Sequence, residues 1–223
     1  MIKMIVFDMA GTVIDENNVV YKTLLDAIKA SGYELTLGQV LEEGAGKEKF
    51  QAIKDIVRKR DENADHEILM TIFKNFQSRL NDAYLTMDIK AQPGAEKLFK
   101  ELKQKGIYVV LNTGYDSTTA QSILQKVGWK EGKQIDALIT ASDVINNRPQ
   151  PDMIELAKKK LGLNDSDQVA KIGDSIIDIE EGKNAKCSLT IGITTGAHTK
   201  EQLLTAKPDA IINSLLEVLP LLR

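Results

Sequence analysis

Apolar residues in this chain cluster in short runs, at 4–7, 107–111, 137–139, 169–172, 189–193 and 210–212. Runs of that length without polar alternation fit strands covered on both faces. Between the later runs, apolar positions recur at helical spacing over 95–105, 118–127, 152–161 and 176–184. Strand and helix in alternation predict an α/β architecture, a doubly wound parallel sheet with helices on both faces. Ligands of such sheets lie outside the carboxyl ends of the strands, so the residues after each strand are the ones to read for chemistry.

One region breaks the alternation. Residues 17–90 hold no convincing strand and show helical patterns at 21–31, 49–60 and 66–84. Residues 15–18 lead in, and 87–94, with Pro93-Gly94, lead out. This predicts an α/β core formed by 1–16 and 91–223 and an all-helical module at 17–90 on two linkers that could hinge. The alternative is that these helices pack on the sheet as part of one domain.

Composition narrows the class. The 223 residues are 27% charged and 43% hydrophobic, ordinary for a globular protein. A net charge of −3 gives no bulk reason to expect nucleic acid or an acidic membrane surface as partner. No apolar run approaches the roughly 20 residues that span a bilayer. Nor does a basic stretch followed by a long apolar segment open the chain, so a cytoplasmic protein is expected. Cys187 is the one cysteine, which excludes an internal disulfide and reads as a small buried hydrophobe.

The strand ends carry the chemistry. In chain order they present Asp8 and Thr12, then Asn112-Thr113-Gly114-Tyr115, then residues 140–148 ending in Arg148, then Gly173-Asp174-Ser175 with Asp178. Singly, Asp8 could be a turn residue, Asp174 and Asp178 helix caps, and Arg148 half of a surface ion pair. At successive strand ends they converge on one rim. Massed carboxylates repel unless a cation sits among them, and hard oxygen ligands suit Mg²⁺. Asp8 could then attack an electrophile whose negative oxygens are held by Arg148, Thr113 and backbone N–H groups, which fits phosphorus chemistry.

The start Asp8-Met-Ala-Gly-Thr12, the Asn-Thr113-Gly114 turn and the Gly173-Asp174-Ser-Ile-Ile-Asp178 turn resemble the haloacid dehalogenase superfamily of aspartate-nucleophile hydrolases, in the right order across nearly the whole chain. The resemblance implies a Rossmann-like core with the helical insert as a type-1 cap. It implies Asp8 as the nucleophile forming an aspartyl-phosphate. Mg²⁺ would be held by Asp8, the backbone oxygen of Ala10, Asp174 and Asp178, and the phosphoryl group by Thr113, Gly114 and Arg148.

Most phosphatases of that superfamily carry a second aspartate two residues after the nucleophile, to protonate the leaving group. Ala10 stands there and has no proton to give. Phosphonoacetaldehyde hydrolase, or phosphonatase, likewise has Ala-Gly-Thr after its nucleophile. It breaks a P–C bond, and a cap lysine forms an imine with the substrate aldehyde to take up the electrons. Tyr115, the run Ser142-Asp143-Val144, and Arg148-Pro-Gln-Pro151 resemble that branch too. So does Gly46-Lys47-Glu48-Lys49, which makes Lys49 the implied imine former, with Lys47 as its alternative. Thr12, Gly46, Lys49 and Tyr115 are then the expected substrate and cap contacts. Two departures stand out: Ala52 replaces the histidine expected three residues past the lysine, and the C-terminal region is shorter.

Three functions follow. The first is a Mg²⁺-dependent hydrolase of a small organophosphorus compound, a phosphonate with a carbonyl beside the reacting carbon. The second is a phosphate monoester phosphatase, and the third a catalytically silent protein that keeps the metal site. A dehalogenase proper is least favoured, because it needs no metal and leaves Asp174 and Asp178 unexplained. The cap's apolar helix faces could pair with a second copy, as the resemblance implies. Trp129 is expected to cover a core edge, residues 158–160 to be solvated, and 215–222 to close the fold as a helix face.

Overall fold

The computed structural model describes residues 1–87 and 89–222, with the side chains of Leu85 and Thr86 left aside; Asp88, in the second predicted linker, lies outside the described residues. The chain begins with β1 (Met4–Asp8) and β2 (Ile14–Asp15). Four helices follow: α1 (Val19–Ala30), α2 (Leu37–Gly44), α3 (Lys49–Arg58) and α4 (His66–Thr86). Then come β3 (Lys90–Ala91), α5 (Ala95–Gln104), β4 (Tyr108–Thr113), α6 (Ser117–Val127), β5 (Ala137–Thr140) and α7 (Asp152–Leu161). The chain closes with β6 (Val169–Gly173), α8 (Ile176–Asn184), β7 (Leu189–Ile193), α9 (Lys200–Thr205) and β8 (Ala210–Ile212), before a 3₁₀ turn at Leu215–Leu221.

Six strands form one parallel sheet in the order β5-β4-β1-β6-β7-β8. Chain order runs outward in both directions from β1, so the topological switch lies beside it and a crevice opens at its carboxyl end. Asp8 pairs in register with Asn112 of β4, and Thr113 with Thr140 of β5. All of β1 is buried, with Ile5 and Phe7 packed on one face and Met4 and Val6 on the other. Short apolar runs were the correct signal, because helices cover both faces. Phe7 meets Phe99 of α5 edge to face at 5.5 Å, and Phe99 meets Trp129 at 5.0 Å, which puts Trp129 over the core edge as expected.

The predicted helices at 21–31, 49–60 and 66–84 form as α1, α3 and α4. The pattern missed α2, a short helix bracketed by glycines at 38 and 44. Its signal was a capping box: Thr36 and Gln39 hydrogen-bond reciprocally at 3.3 and 2.8 Å. Also missed were the two-residue strands β2 and β3, which pair antiparallel and fasten the two linkers together. The apolar cluster runs without a break from Ile5 and Phe7 into Leu24, Ile53 and Phe76 of the helices.

Two surface readings need correction. Lys158 is not solvated: its ammonium sits 2.7 Å from Ser166 Oγ and 2.9 Å from Glu155, with the stem buried against the sheet side of α7. The closing segment is a 3₁₀ turn, with Pro220 inside it, that buries Leu215 and Val218. Among the described residues, no helix is long and apolar enough to cross a membrane.

Candidate active site

The β1 strand delivers Asp8 to the crevice, and the neighbouring strand ends surround it with charge. Asp8, Asp174 and Asp178 each offer a carboxylate oxygen, all within 4.8 Å of one another, and all three are buried. Arg148, its side chain 1% exposed, reaches in from the loop after β5. Nη1 donates to Asp8 Oδ1 at 2.7 Å and lies 3.0 Å from Asp178 Oδ1. Nη2 donates to the backbone and side-chain oxygens of Asn112 at 2.9 and 2.5 Å, and Nε lies 3.0 Å from Glu181 Oε2. Both terminal guanidinium nitrogens therefore donate to protein oxygens, while Nε has Glu181 as an ion-pair neighbour without a hydrogen bond.

Sequence reasoning missed two charged members of this lattice, Lys171 and Glu181. Lys171 is a lysine inside the buried strand β6. Its ammonium contacts Asn112 Oδ1 at 2.7 Å, Asp178 at 2.9 Å and Glu181 at 3.3 Å. Glu181, fully buried on α8, also accepts from the Asn112 amide at 2.8 Å. The available signal was a charged residue in the middle of an apolar strand, which demands a buried partner.

The lattice is short of positive charge. Four carboxylates (Asp8, Asp174, Asp178, Glu181) face two cations (Arg148, Lys171). Burial, then the charge of Asp178, raises Asp8 above the ordinary carboxylate range against the pull of Arg148. Burial, then Asp8 and Asp178, raises Asp174 further. Burial also works against Asp178, but Lys171 and Arg148 outweigh it and hold that carboxyl low. A divalent cation among these oxygens would supply the missing charge. The surroundings are cut to match: Thr12 Oγ1 donates to Asp174 Oδ1 at 3.2 Å and the Ala197 N–H to Oδ2 at 2.6 Å. A Cβ on Gly196 would collide with that same carboxylate. The residues present thus fit a hard metal ion, with Ala10 in the turn two residues after Asp8.

Thr113 and Gly114 follow β4. Thr113 is buried and its Oγ1 accepts from the Tyr115 N–H at 3.2 Å. A Cβ on Gly114 would stand 2.7 Å from the Lys47 carbonyl oxygen, so glycine here lets the loop between α2 and α3 rest on the strand end. Gly46 in that loop has φ +74°, and a side chain on it would strike Ile177 and Ser175. His198 makes a second tie, its Nδ1 against the Ile176 N–H at 3.0 Å and its Nε2 3.2 Å from the Leu41 oxygen of α2.

That seating brings Lys49, the first residue of α3, into the crevice. Its ammonium donates to the Lys47 oxygen at 2.6 Å and lies 5.4 Å from the Tyr21 ring centroid and 5.1 Å from that of Tyr115. Burial lowers its pKa to about 8, against the raising charges of Asp8 and Glu48. Lys47 points elsewhere, paired with Asp55 at 2.5 Å along a different cavity. Of the two lysines, Lys49 is the one whose ammonium lies against Tyr115. Ala52 is fully buried, its Cβ against Gly44 of α2. Beside Lys49 opens a cavity of about 590 Å³ lined by Phe73, Phe76, Leu80, Tyr115 and Asn147, among others. Glu16, a further residue that the sequence did not flag, is buried behind Tyr115. Cys187 is half-buried, its thiol pushed up to about 12 by burial and then by the charge of Glu181.

Comparison with known proteins decides the family. The model of the haloacid dehalogenase-like hydrolases matches residues 2–186. The chain belongs to the haloacid dehalogenase-like hydrolases. This hydrolase is 29% identical over 228 residues to the Clostridium perfringens protein PpaX, whose name gives pyrophosphatase as a conjecture; the match covers 99% of this chain and 97% of that one. It is 30% identical over 209 residues to a phosphonoacetaldehyde hydrolase of Lactiplantibacillus plantarum, covering 88% of this chain and 77% of the other. Among solved structures, a phosphonoacetaldehyde hydrolase-like protein from Oleispira antarctica superposes with a TM-score of 0.86 at 22% identity, covering 99% of this chain and 91% of that one. At that identity the likeness establishes the fold, the Rossmann-like core with its helical insert.

Proposed function

We propose that this hydrolase is a phosphonatase-type enzyme that breaks the P–C bond of phosphonoacetaldehyde or a related phosphonate bearing a carbonyl beside the reacting carbon. The observation that carries the reading is a buried lysine amine of lowered pKa, over two tyrosine rings, within electrostatic reach of a strand-end carboxylate whose second neighbour is alanine. Mg²⁺, held by Asp8, the Ala10 carbonyl, Asp174 and Asp178, would supply charge neutralisation for the phosphoryl oxygens. The Lys49 amine adds to the substrate carbonyl, and loss of water leaves an iminium. Asp8 Oδ then attacks phosphorus. The P–C bond breaks with its electron pair moving through carbon to the iminium nitrogen, giving a neutral enamine and an aspartyl-phosphate. Water hydrolyses the phosphoryl ester, and protonation and hydrolysis of the enamine free Lys49.

In this reading Arg148 acts first on the nucleophile, fixing the Asp8 carboxylate, because its nitrogens are already engaged by protein oxygens. Thr113 and the backbone at Gly114 receive the phosphoryl group, with Thr12 supporting Asp174. Residues 17–90 serve as a cap whose closure brings Gly46 and Lys49 onto the strand ends, and pairing of two copies through the cap belongs to the same proposal, as does a cytoplasmic location. A phosphate monoester phosphatase is the second reading, favoured by the full-length similarity to PpaX. The two separate on phosphate release: phosphonoacetaldehyde with Mg²⁺ should yield phosphate, chelation by EDTA should stop it, and simple phosphate esters should yield far less. Release from esters alone would leave the second reading standing.

A further inference from the structure

One buried ionisable group near Lys49 has no part in the reaction as written. Glu16, 3% exposed, lies in the linker between β2 and α1. Its Oε2 accepts from the Tyr84 hydroxyl at 2.8 Å and its Oε1 from the Tyr115 hydroxyl at 3.2 Å. A buried carboxylate kept for structure is normally met by a guanidinium or an ammonium in hydrogen-bond contact. Here both side-chain hydrogen-bond donors are neutral phenols, a backbone hydrogen bond comes from Val20 in α1, and the positive charge that bears on Glu16 is that of Lys49. Tyr115 belongs to both groups: its hydroxyl binds Glu16, and its ring lies 5.1 Å from the Lys49 ammonium. Tyr115 also lines the cavity beside Lys49.

The phenols facing this pair are Tyr21 from α1, Tyr84 from α4 and Tyr115 from the loop after β4, and the charges of Asp8 at the end of β1, Glu48 before α3 and Arg148 from the loop after β5 also bear on Lys49. Burial, with Asp174 or Glu16 adding charge, raises all three phenols well above their usual range, so they stay neutral. That leaves Glu16, raised by burial to about 7, and Lys49, lowered by burial to about 8, to exchange protons near neutrality.

We propose that Glu16 is the proton partner of Lys49, a positioning residue that acts through the Tyr115 hydroxyl during imine formation; the inference rests on Lys49 being the imine former. The step balances. The neutral Lys49 amine forms the C–N bond and its proton passes to the carbonyl oxygen, giving a carbinolamine. As the C–O bond breaks with its electrons on oxygen, the leaving hydroxyl takes a proton from Tyr115, which is refilled from the Glu16 carboxyl. Water departs, and an iminium and a Glu16 carboxylate remain. A neutral pair has become an ion pair of zero net charge, so the buried pocket gains no unbalanced charge.

The test is the rate of borohydride trapping with phosphonoacetaldehyde as a function of pH. The wild type should give a bell, rising near 7 as the pair loses its first proton and falling near 8 as it loses the second. Glu16→Gln keeps the shape but cannot titrate. It should trap about 10²-fold more slowly or worse, with a single rising limb whose midpoint lies below 8, because removal of a negative charge lowers the lysine pKa. Glu16→Asp should restore part of the bell. Should Glu16→Gln fail to fold, ¹³C NMR of the unmodified protein decides: one glutamate carboxyl should titrate near 7, and the absence of any such carboxyl would overturn the proposal. Wild-type rate and bell retained in Glu16→Gln would overturn it while leaving the imine intact. Absence of any trapped adduct in the wild type would overturn the imine reading, and this inference with it.

Discussion

Two buried charged clusters meet at Asp8, and they are built on opposite principles. On the core side, Arg148 and Lys171 hold Asp8, Asp178, Glu181 and Asn112 through contacts of 2.5–3.3 Å. On the cap side, Lys49 has one hydrogen bond to a backbone oxygen and two aromatic faces, and Glu16 has two phenols and the Val20 backbone. Dense ion pairing fixes protonation and geometry, and so suits a nucleophile and a metal cage. Sparse pairing lets burial pull a lysine and a glutamate toward neutral pKa values, which suits groups that must change protonation. The lesson is that burial alone does not decide what an ionisable group does; the number of charged partners it keeps does.

That contrast can be broken most severely at the nucleophile. Asp8→Asn should lower phosphate release by on the order of 10⁴-fold or more, measured as free phosphate from phosphonoacetaldehyde. The lysine chemistry should survive, so borohydride should capture on Lys49 an adduct that still carries its phosphonate. Next, Lys49→Arg should reduce phosphate release to background while the thermal transition stays close to wild type, because the charge remains and only the nucleophilic amine is lost. Arg148→Ala strikes the dense cluster instead. It strands buried carboxylates and should cost about 3–5 kcal/mol in urea-melt stability, partly recovered by Mg²⁺. The smallest effect is expected from Gly46→Ala. A side chain at positive φ against Ile177 should cost about 1–3 kcal/mol and raise KM more than it lowers kcat, by keeping the cap loop from seating.

How much of this was legible follows the same division. The core was written locally. Short apolar runs announced the sheet, and Asp8, Thr113, Arg148, Asp174 and Asp178 stood at the ends of its strands or in the segments that follow them, where the topology brings them together. Lys171 and Glu181 were hidden because their partners lie on other elements, as far as 69 residues away for Glu181 and Asn112. Helix α2 hid behind its glycines, and only the Thr36–Gln39 pair marked it. The cap side was least readable. Lys49 and Lys47 look alike in sequence, and they separate only when Gly114 admits the loop and turns one ammonium toward Tyr115 and the other toward Asp55. Glu16 sits in a linker that reads as solvent-exposed, and it is buried only because Tyr84 and Tyr115 close over it from α4 and the end of β4.

The central claim is that the electrons leaving phosphorus are received by the cap lysine and not by any group at position 10. It is tested most directly by incubating the protein with Mg²⁺, phosphonoacetaldehyde and borohydride, then mapping its peptides by mass spectrometry. The account predicts an ethyl group on Lys49 Nζ, the reduced imine left after P–C cleavage, with no modification at Lys47. Phosphate release with Lys49 unmodified would contradict it.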